Sequence, residues 1–175
     1  MQLLDSPIGP IAAAATAEGV CLVEFARPER LEPQLAELRR WFGSEPVDGS
    51  NPHLEQLKGE LAEYFAGRRT QFSTPLVYPG TPFQQRVWNE LLRIPYGQTR
   101  SYEELAAIVS SIKAQRAVGR ANGTNRISIL IPCHRVVNKD GKLGGYGGEL
   151  WRKEFLLTLE GAHRRAPQQA ALFAG

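Results

Sequence analysis

A cysteine, a histidine and an arginine stand side by side at positions 133–135, directly after an apolar run. A free thiol with a pKa near about 8.5 is mostly protonated at neutral pH, so a nucleophilic cysteine needs a nearby base or positive charge. These neighbours therefore predict that Cys133 is a reactive thiol, held as an anion. The other cysteine, Cys21, lies in the apolar stretch 19–25, which is typical of a cysteine in a hydrophobic core.

His134 is the candidate base for this thiol. The apolar run at 127–131 is typical of a buried strand, and adjacent residues on a strand point to opposite faces. We therefore expect a bridging water, rather than direct contact, to link His134 to the sulfur. A histidine base also needs a carboxylate to orient it. The helix predicted over 149–159 and its end offer three candidates, which are Glu149, Glu154 and Glu160.

Two short helices separated by a polar turn precede this site. The first begins with a capping box at 101–104, and the second, predicted over 112–122, carries Lys113, Arg116 and Arg120 among small residues. A slim basic helix after a tight turn is typical of a helix-turn-helix that enters a DNA groove. Close helix packing with arginines facing water explains the same pattern, so both interpretations stay open at this point.

Charge divides the chain into two halves. Residues 1–80 hold 7 Lys and Arg against 11 Asp and Glu, whereas residues 81–175 hold 14 against 7. The basic half suggests a polyanionic partner such as DNA, although a solvated basic surface accounts for the charge equally well. The sequence has no apolar stretch of about 20 residues and no secretory signal pattern, so we expect a cytoplasmic protein.

The remaining pattern predicts a mixed α/β (α+β) protein. Short strands and turns alternate over residues 1–25, as in an antiparallel meander, and apolar periodicity predicts helices over 31–42 and 52–65. Residues 70–78 look like a further strand. The Tyr-Pro-Gly break at 78–80 predicts three parts: an N-terminal α/β structural domain, 1–80, a DNA-binding and catalytic domain, 81–161, and a loose tail, 162–175.

Five sequence blocks of the second half occur in a recognisable order. They lie at 132–137 (Pro-Cys-His-Arg-Val-Val), 83–88, 94–99, 116–119 and 144–148. Together they resemble the O6-alkylguanine-DNA alkyltransferases, also called methylated-DNA–protein-cysteine methyltransferases, from residue 81 to residue 161. The first half resembles the variable N-terminal domain of that family, a ribonuclease-H-like antiparallel sheet with helices, whereas the second half would be helix-turn-helix or winged-helix-like and carry the active site.

The resemblance implies direct-reversal DNA repair, with a residue for each step. An alkyl group of O6-alkylguanine, and also of O4-alkylthymine, would pass irreversibly to Cys133, once per molecule. The thiol proton would pass through a water to His134 and on to Glu160. Asn125 would tie the recognition helix to the active-site strand, and Tyr146 would donate a proton or hydrogen bond to guanine N3.

The resemblance also implies how damaged double-stranded DNA is held. Arg116 would enter the base stack and fill the gap left by the extruded nucleotide, while Tyr102 would crowd the neighbouring phosphate. Further DNA contacts are expected from Ser101, Ala117, Gly119 and Arg120. The pocket for the extruded base would be lined by Pro132, Cys133, Val136, Gly147 and Gly148. We expect a monomer that can assemble cooperatively on DNA.

Two positions depart from the family pattern. Gly147 stands where some relatives have serine, which leaves only a backbone N–H to meet the O6 atom. Glu149 stands where glycine is common and would place a carboxylate near the pocket mouth, which would narrow the range of alkyl groups. No cofactor is expected. No metal site is expected either, because the first half offers only Cys21 and His53 as sulfur or nitrogen ligands.

Two other functions compete with this one. A papain-like hydrolase uses the same residue types, but its cysteine and histidine lie far apart in sequence, unlike the adjacent pair found here. A non-enzymatic winged-helix protein that only recognises alkylated bases is the closer rival. Such relatives lack the acceptor cysteine, whereas this chain has Cys133.

Overall fold

The computed structural model describes residues 1–162, so the predicted tail, including His163, lies almost entirely outside the described residues. The first half contains a three-stranded antiparallel sheet in the order β1-β2-β3, with two helices packed against it. The strands are β1 (Gln2–Leu4), β2 (Ile11–Ala15) and β3 (Val20–Phe25), and the helices are α1 (Pro28–Phe42) and α2 (Pro52–Phe65). The predicted meander and both helices are confirmed, although α1 begins three residues early because Pro28 occupies its first turn.

The second half is built mainly of short helices around the segment that carries Cys133. The predicted capping box forms between Ser101 and Glu104, and a second one forms between Thr81 and Gln84. The helices are α3 (Pro82–Leu92), α4 (Tyr102–Val109), α5 (Gln115–Gly123) and α6 (Leu150–Leu159), with 3₁₀ turns at Ile112–Ala114 and Cys133–Arg135. The strands β4 (Arg100–Ser101) and β5 (Val136–Val137) form a short parallel pair.

The prediction of a strand at 127–131 is wrong. Only Ile127 forms a bridge, to Val23 of β3, after which the chain turns and the Ile131 N–H donates to the Ile127 carbonyl at 2.9 Å. The side chain of Asn125 replaces ladder hydrogen bonds: it accepts from the Ile127 N–H at 3.0 Å and donates to the Ile131 carbonyl at 2.8 Å. Complete burial explains the error, because a buried turn and a buried strand have the same apolar composition.

The predicted strand at 70–78 is likewise reduced to a single bridge, between Leu76 and Val20. Pro75 has no N–H to donate to a ladder, which fits this short pairing. None of the helices within the described range 1–162 is long and apolar enough to cross a membrane.

One apolar core extends through both halves of the chain. It includes residues of β3 and α2 together with residues of α3 and of the turn before the active site: Val20, Val23, Leu57, Val87, Leu91 and Ile131. The indole N–H of Trp88, on α3, donates to the Ala121 carbonyl of α5 at 2.8 Å. The basic helix is therefore anchored to the same core as the sheet.

A second, smaller cluster lies between the sheet and α1, and Cys21 belongs to it. Its thiol is buried, and that burial raises its pKa to about 11. The prediction that Cys21 is a core residue is thus confirmed. A thiol with so high a pKa is protonated at neutral pH and chemically inert.

The capping box that starts α4 gives a direct test of the local structure. Replacing Ser101 with alanine removes the hydroxyl that accepts from the Glu104 N–H at 3.1 Å, so the free energy of unfolding should fall by about 1 kcal/mol. Urea denaturation measures this change. Ser111→Ala is the matched control, because the Ser111 side chain makes no capping hydrogen bond. Equal losses in the two variants would contradict the assignment.

Candidate active site and nucleic-acid interface

Cys133 begins the 3₁₀ turn that follows Pro132 and lies on the wall of a cavity of about 450 Å³. The residue is only 5% exposed, yet the cavity that it lines also reaches the exposed residue Arg116 of α5. The lining includes most of the predicted site, namely Tyr102, Arg116, Gly119, Asn125, Cys133, Tyr146, Gly147 and Gly148. The structure therefore brings these residues, which are distant in sequence, around one cavity.

His134 and Glu160 form a fully buried pair, with Nε2 and Oε1 separated by 2.8 Å. Because a carboxylate only accepts, Nε2 carries the hydrogen and Nδ1 keeps a lone pair. Nδ1 is buried and has no hydrogen-bond partner among residues 1–162. Burial lowers the pKa of His134, so the imidazole is neutral at pH 7 and able to accept a proton.

The Glu160 carboxylate accepts three further hydrogen bonds from two other side chains. Arg135 donates to both of its oxygens, at 2.8 and 2.9 Å, and the Tyr64 hydroxyl of α2 donates at 2.7 Å. Burial by itself would raise the pKa of Glu160, but the hydrogen bonds from His134 and Arg135 lower it to about 2. Of the three carboxylates considered from the sequence, the structure selects the one just beyond α6.

The sulfur is not held as an anion, contrary to the prediction from sequence. Burial raises the pKa of Cys133, and this outweighs the opposite effects of Asn125, Lys153 and Arg30. The adjacent Arg135 gives no compensation, because its guanidinium is paired with Glu160. Cys133 is therefore a thiol in the free protein.

Two tyrosines flank the cavity. The Tyr146 hydroxyl is buried without a hydrogen-bond partner in the described part of the chain, and burial raises its pKa well above the usual value. It stays protonated and can act as a donor. Tyr102, the first residue of α4, donates its hydroxyl hydrogen to the Gly145 carbonyl at 3.3 Å.

The helix α5 presents its basic side chains outward. Arg116, Ala117 and Arg120 are exposed, whereas Val118, Ala121 and Asn122 are buried. The Asn122 side chain donates to the Cys133 carbonyl at 3.4 Å and so links this helix directly to the active site. The sequence analysis missed Asn122 and assigned such a link to Asn125, which follows α5 and holds the turn at 127–131.

Four other predicted site residues do not line the cavity around Cys133. Pro132 faces a separate cavity that it shares with Tyr96 and Arg135. Val136 is fully buried, and its carbonyl accepts from Lys153 Nζ at 2.6 Å. Ser101 serves as the N-cap of α4, as described above. Arg120 is exposed but does not line the cavity around Cys133.

Glu149 is also absent from the lining of this cavity, although the sequence placed its carboxylate near the pocket mouth. Its carboxylate turns to Arg27, at 2.6 Å, and to Arg152. Its φ of 75° is a left-handed value that favours glycine. These ion pairs direct the carboxylate towards the two arginines, and the expected narrowing of the range of alkyl groups stays a prediction.

Three charged residues of the site escaped the sequence analysis. Glu24 carried a usable signal, because it is the single charge in the apolar strand β3, whereas Lys153 stands between Arg152 and Glu154; both Glu24 and Lys153 are buried. Lys153 Nζ joins the Val136 and Gly144 carbonyls, and burial lowers its pKa to about 8. Arg30 had no local signal, because only the fold brings α1 to this cavity.

Comparison with known proteins covers both halves of the chain. Residues 1–78 match the family described as "6-O-methylguanine DNA methyltransferase, ribonuclease-like domain", and residues 82–162 match "6-O-methylguanine DNA methyltransferase, DNA binding domain". A methylated-DNA--protein-cysteine methyltransferase of Mycobacterium bovis is 45% identical over 172 residues, which cover 98% of this chain and 97% of the relative.

Solved structures agree with these sequence matches. The Mycobacterium tuberculosis protein in complex with DNA has a TM-score of 0.77 at 42% identity, covering 98% of this chain and 97% of that one. An O6-methylguanine DNA methyltransferase from Methanococcus jannaschii has a TM-score of 0.62 at 26% identity, covering 94% and 96%. With both halves matched and nearly full-length relatives, the chain belongs to the 6-O-methylguanine DNA methyltransferase family.

Proposed function

We propose that this chain repairs DNA by moving an alkyl group from the O6 atom of a damaged guanine, or the O4 atom of thymine, onto Cys133. The observation that carries the proposal is that Cys133 lines the same cavity as Arg116 of the basic helix, while the next residue, His134, is paired with the buried Glu160. Because the product is a thioether, each molecule acts once. The thiol itself is the acceptor, so the transfer needs no cofactor.

The chemistry is a displacement at the alkyl carbon. The Cys133 sulfur forms the new S–C bond while the C–O6 bond breaks and its electron pair remains on guanine. The thiol proton passes through a water to His134 Nδ1, and Glu160 stabilises the imidazolium. Tyr146 donates to guanine N3 as charge develops there. The guanine anion then takes up a proton from solvent, and the imidazolium releases the proton of the thiol to solvent, so the products are a neutral guanine and the Cys133 thioether.

The target base must leave the duplex to reach a sulfur that is 5% exposed. We propose that α4, the turn at Ile112–Ala114 and α5 act as a helix-turn-helix, with α5 in the groove. The exposed Arg116 would enter the base stack, Tyr102 would crowd the adjacent phosphate, and Arg120 would contact the backbone. The division into domains 1–80 and 81–161, monomeric binding, cooperative assembly on DNA and a cytoplasmic location stay predictions.

The acceptor residue is tested by mass spectrometry after incubation with a duplex that carries O6-methylguanine. One methyl group should appear on the peptide that contains Cys133, and Cys133→Ser should remain unmodified. Cys21→Ala is the control, because Cys21 is the other cysteine and lies outside the cavity. Methylation of Cys21, or release of methyl groups over repeated turnovers, would refute the proposal.

The proton relay is tested with Glu160→Gln, which should slow transfer by about a hundredfold because the imidazolium loses its carboxylate. Glu154→Gln, on α6, is the matched control and should react like the wild type. A folded Glu160→Gln protein that reacts at the wild-type rate would exclude this relay. Single-turnover kinetics at pH 7 provide the comparison.

The same variant makes a pH prediction for stability. The folded-state pKa of Glu160 is lowered from 4.5 to about 2, so its ionised form stabilises the folded protein above pH 4.5, by about 3 kcal/mol. This contribution should be lost as the pH falls from 4.5 towards 2. The difference in free energy of unfolding between wild type and Glu160→Gln should shrink over that range. A difference independent of pH would contradict the assignment.

The DNA interface is tested by removing exposed charges. Arg120→Ala should weaken duplex binding and reduce the slope of log affinity against log salt by about 1, because one phosphate contact is lost.

Arg116→Ala should slow transfer from a duplex far more than transfer from the free base O6-methylguanine, which needs no extrusion. Arg40→Ala, an exposed arginine of α1, is the control. Equal losses with duplex and free base would remove Arg116 from the extrusion step.

A further inference from the structure

Arg30 reaches the active-site cavity from the first half of the chain. It lies near the start of α1, and its side chain is 22% exposed. It lines the cavity of about 450 Å³ together with Cys133, Tyr146 and Gly147. The transfer chemistry proposed above gives this arginine no role.

The guanidinium of Arg30 is held by contacts from both halves of the protein. Its Nη2 forms a 2.8 Å ion pair with Oε2 of Glu24, whose side chain is fully buried. The other carboxylate oxygen of Glu24 accepts from the Phe25 N–H at 2.9 Å. On the opposite side, Nη1 of Arg30 donates to the carbonyl of Gly123, the last residue of α5, at 3.3 Å. These contacts define one position for the guanidinium.

In that position the guanidinium covers Gly147. A Cβ atom at residue 147 would lie 2.5 Å from Cζ of Arg30 and 2.6 and 2.7 Å from its two Nη atoms. All three distances are shorter than real Cβ contacts, so any side chain at 147 would force the arginine out of place. The missing side chain of Gly147 and the position of Arg30 therefore depend on each other.

The position of Arg30 limits the space in front of the sulfur. A bulky group that enters the cavity beside Gly147 must displace the guanidinium, which separates it from the buried Glu24 carboxylate. Loss of one partner from such a pair leaves an uncompensated buried charge and is strongly unfavourable. The arginine thus acts as a fixed wall instead of an adaptable surface side chain.

We propose that Arg30 is a specificity-determining residue, which sets an upper limit on the size of the alkyl group that Cys133 can accept. The inference rests on the proposed alkyl transfer and adds a substrate limit to it. It also assigns part of the substrate pocket to the N-terminal half, through α1 and β3.

The experiment compares single-turnover transfer from two duplexes, one with O6-methylguanine and one with O6-benzylguanine, followed by mass spectrometry of the Cys133 peptide. Arg30→Ala should raise the benzyl-to-methyl rate ratio by about tenfold or more, since the pocket gains the volume of the guanidinium. The double variant Glu24→Gln/Arg30→Ala, which leaves no unpaired carboxylate, should show the same rise and guards against misfolding. Arg40→Ala is the matched control, because Arg40 also lies on α1, is exposed and is absent from the cavity lining.

A second pair of variants tests the contact between Arg30 and Gly147. Gly147→Ala should slow methyl transfer in the wild-type background, because the new Cβ displaces the guanidinium. The same substitution should slow transfer much less in the Arg30→Ala background. Equal effects in the two backgrounds would overturn the contact on which the inference depends.

The outcomes separate this inference from the proposed function. If the wild type does not methylate Cys133, the proposed function fails and the inference fails with it. If the wild type transfers methyl groups but folded Arg30→Ala and Glu24→Gln/Arg30→Ala keep the wild-type ratio within about twofold, the size limit alone is refuted. Thermal unfolding of each variant establishes that it is folded.

Discussion

The buried carboxylate of Glu160 connects the chemistry of this protein to its fold. It binds His134, Arg135 and Tyr64, which come from the active-site turn and from α2 of the other half. A carboxylate without these partners would be protonated or would destabilise the interior, and with them it remains charged. Its charge fixes the tautomer of His134, so the nitrogen on the other side of the ring is free to accept a proton. The base is thus prepared by an interaction that also joins the two halves.

The pKa of the buried active-site thiol shifts in the opposite direction to that of Glu160. The environment that strengthens the Glu160 network also raises the pKa of Cys133, so the free protein holds a protonated sulfur. A neutral thiol reacts slowly with stray electrophiles, because the thiolate is the nucleophile. Deprotonation during the reaction then restricts the reactive form to a bound substrate. For a protein that would act once, such protection of the acceptor is valuable.

The sequence predicted the local elements better than the irregular ones. The capping box at Ser101 and apolar periodicity marked the helices, because these signals lie within a few residues of one another. The run at 127–131 was misassigned, since only the Asn125 side chain distinguishes its turn from a strand. The residue types at 133–135 pointed to Cys133 and His134, and the family resemblance chose Glu160 among three candidates. Arg30 was not found, because its place in the cavity depends on the packing of α1 across about a hundred residues of chain, as its bond to Gly123 shows.

The shared apolar core has a practical meaning for anyone who wishes to dissect or re-engineer this protein. A fragment that begins at α3 would lose the strand that pairs with Ile127 and the hydroxyl of Tyr64, and would expose Val87 and Leu91 to water. Such a fragment should aggregate instead of yielding a smaller reagent. The exposed loop at 43–50, between α1 and α2, is the better place to insert a tag or a second module, because its backbone makes few contacts with the core.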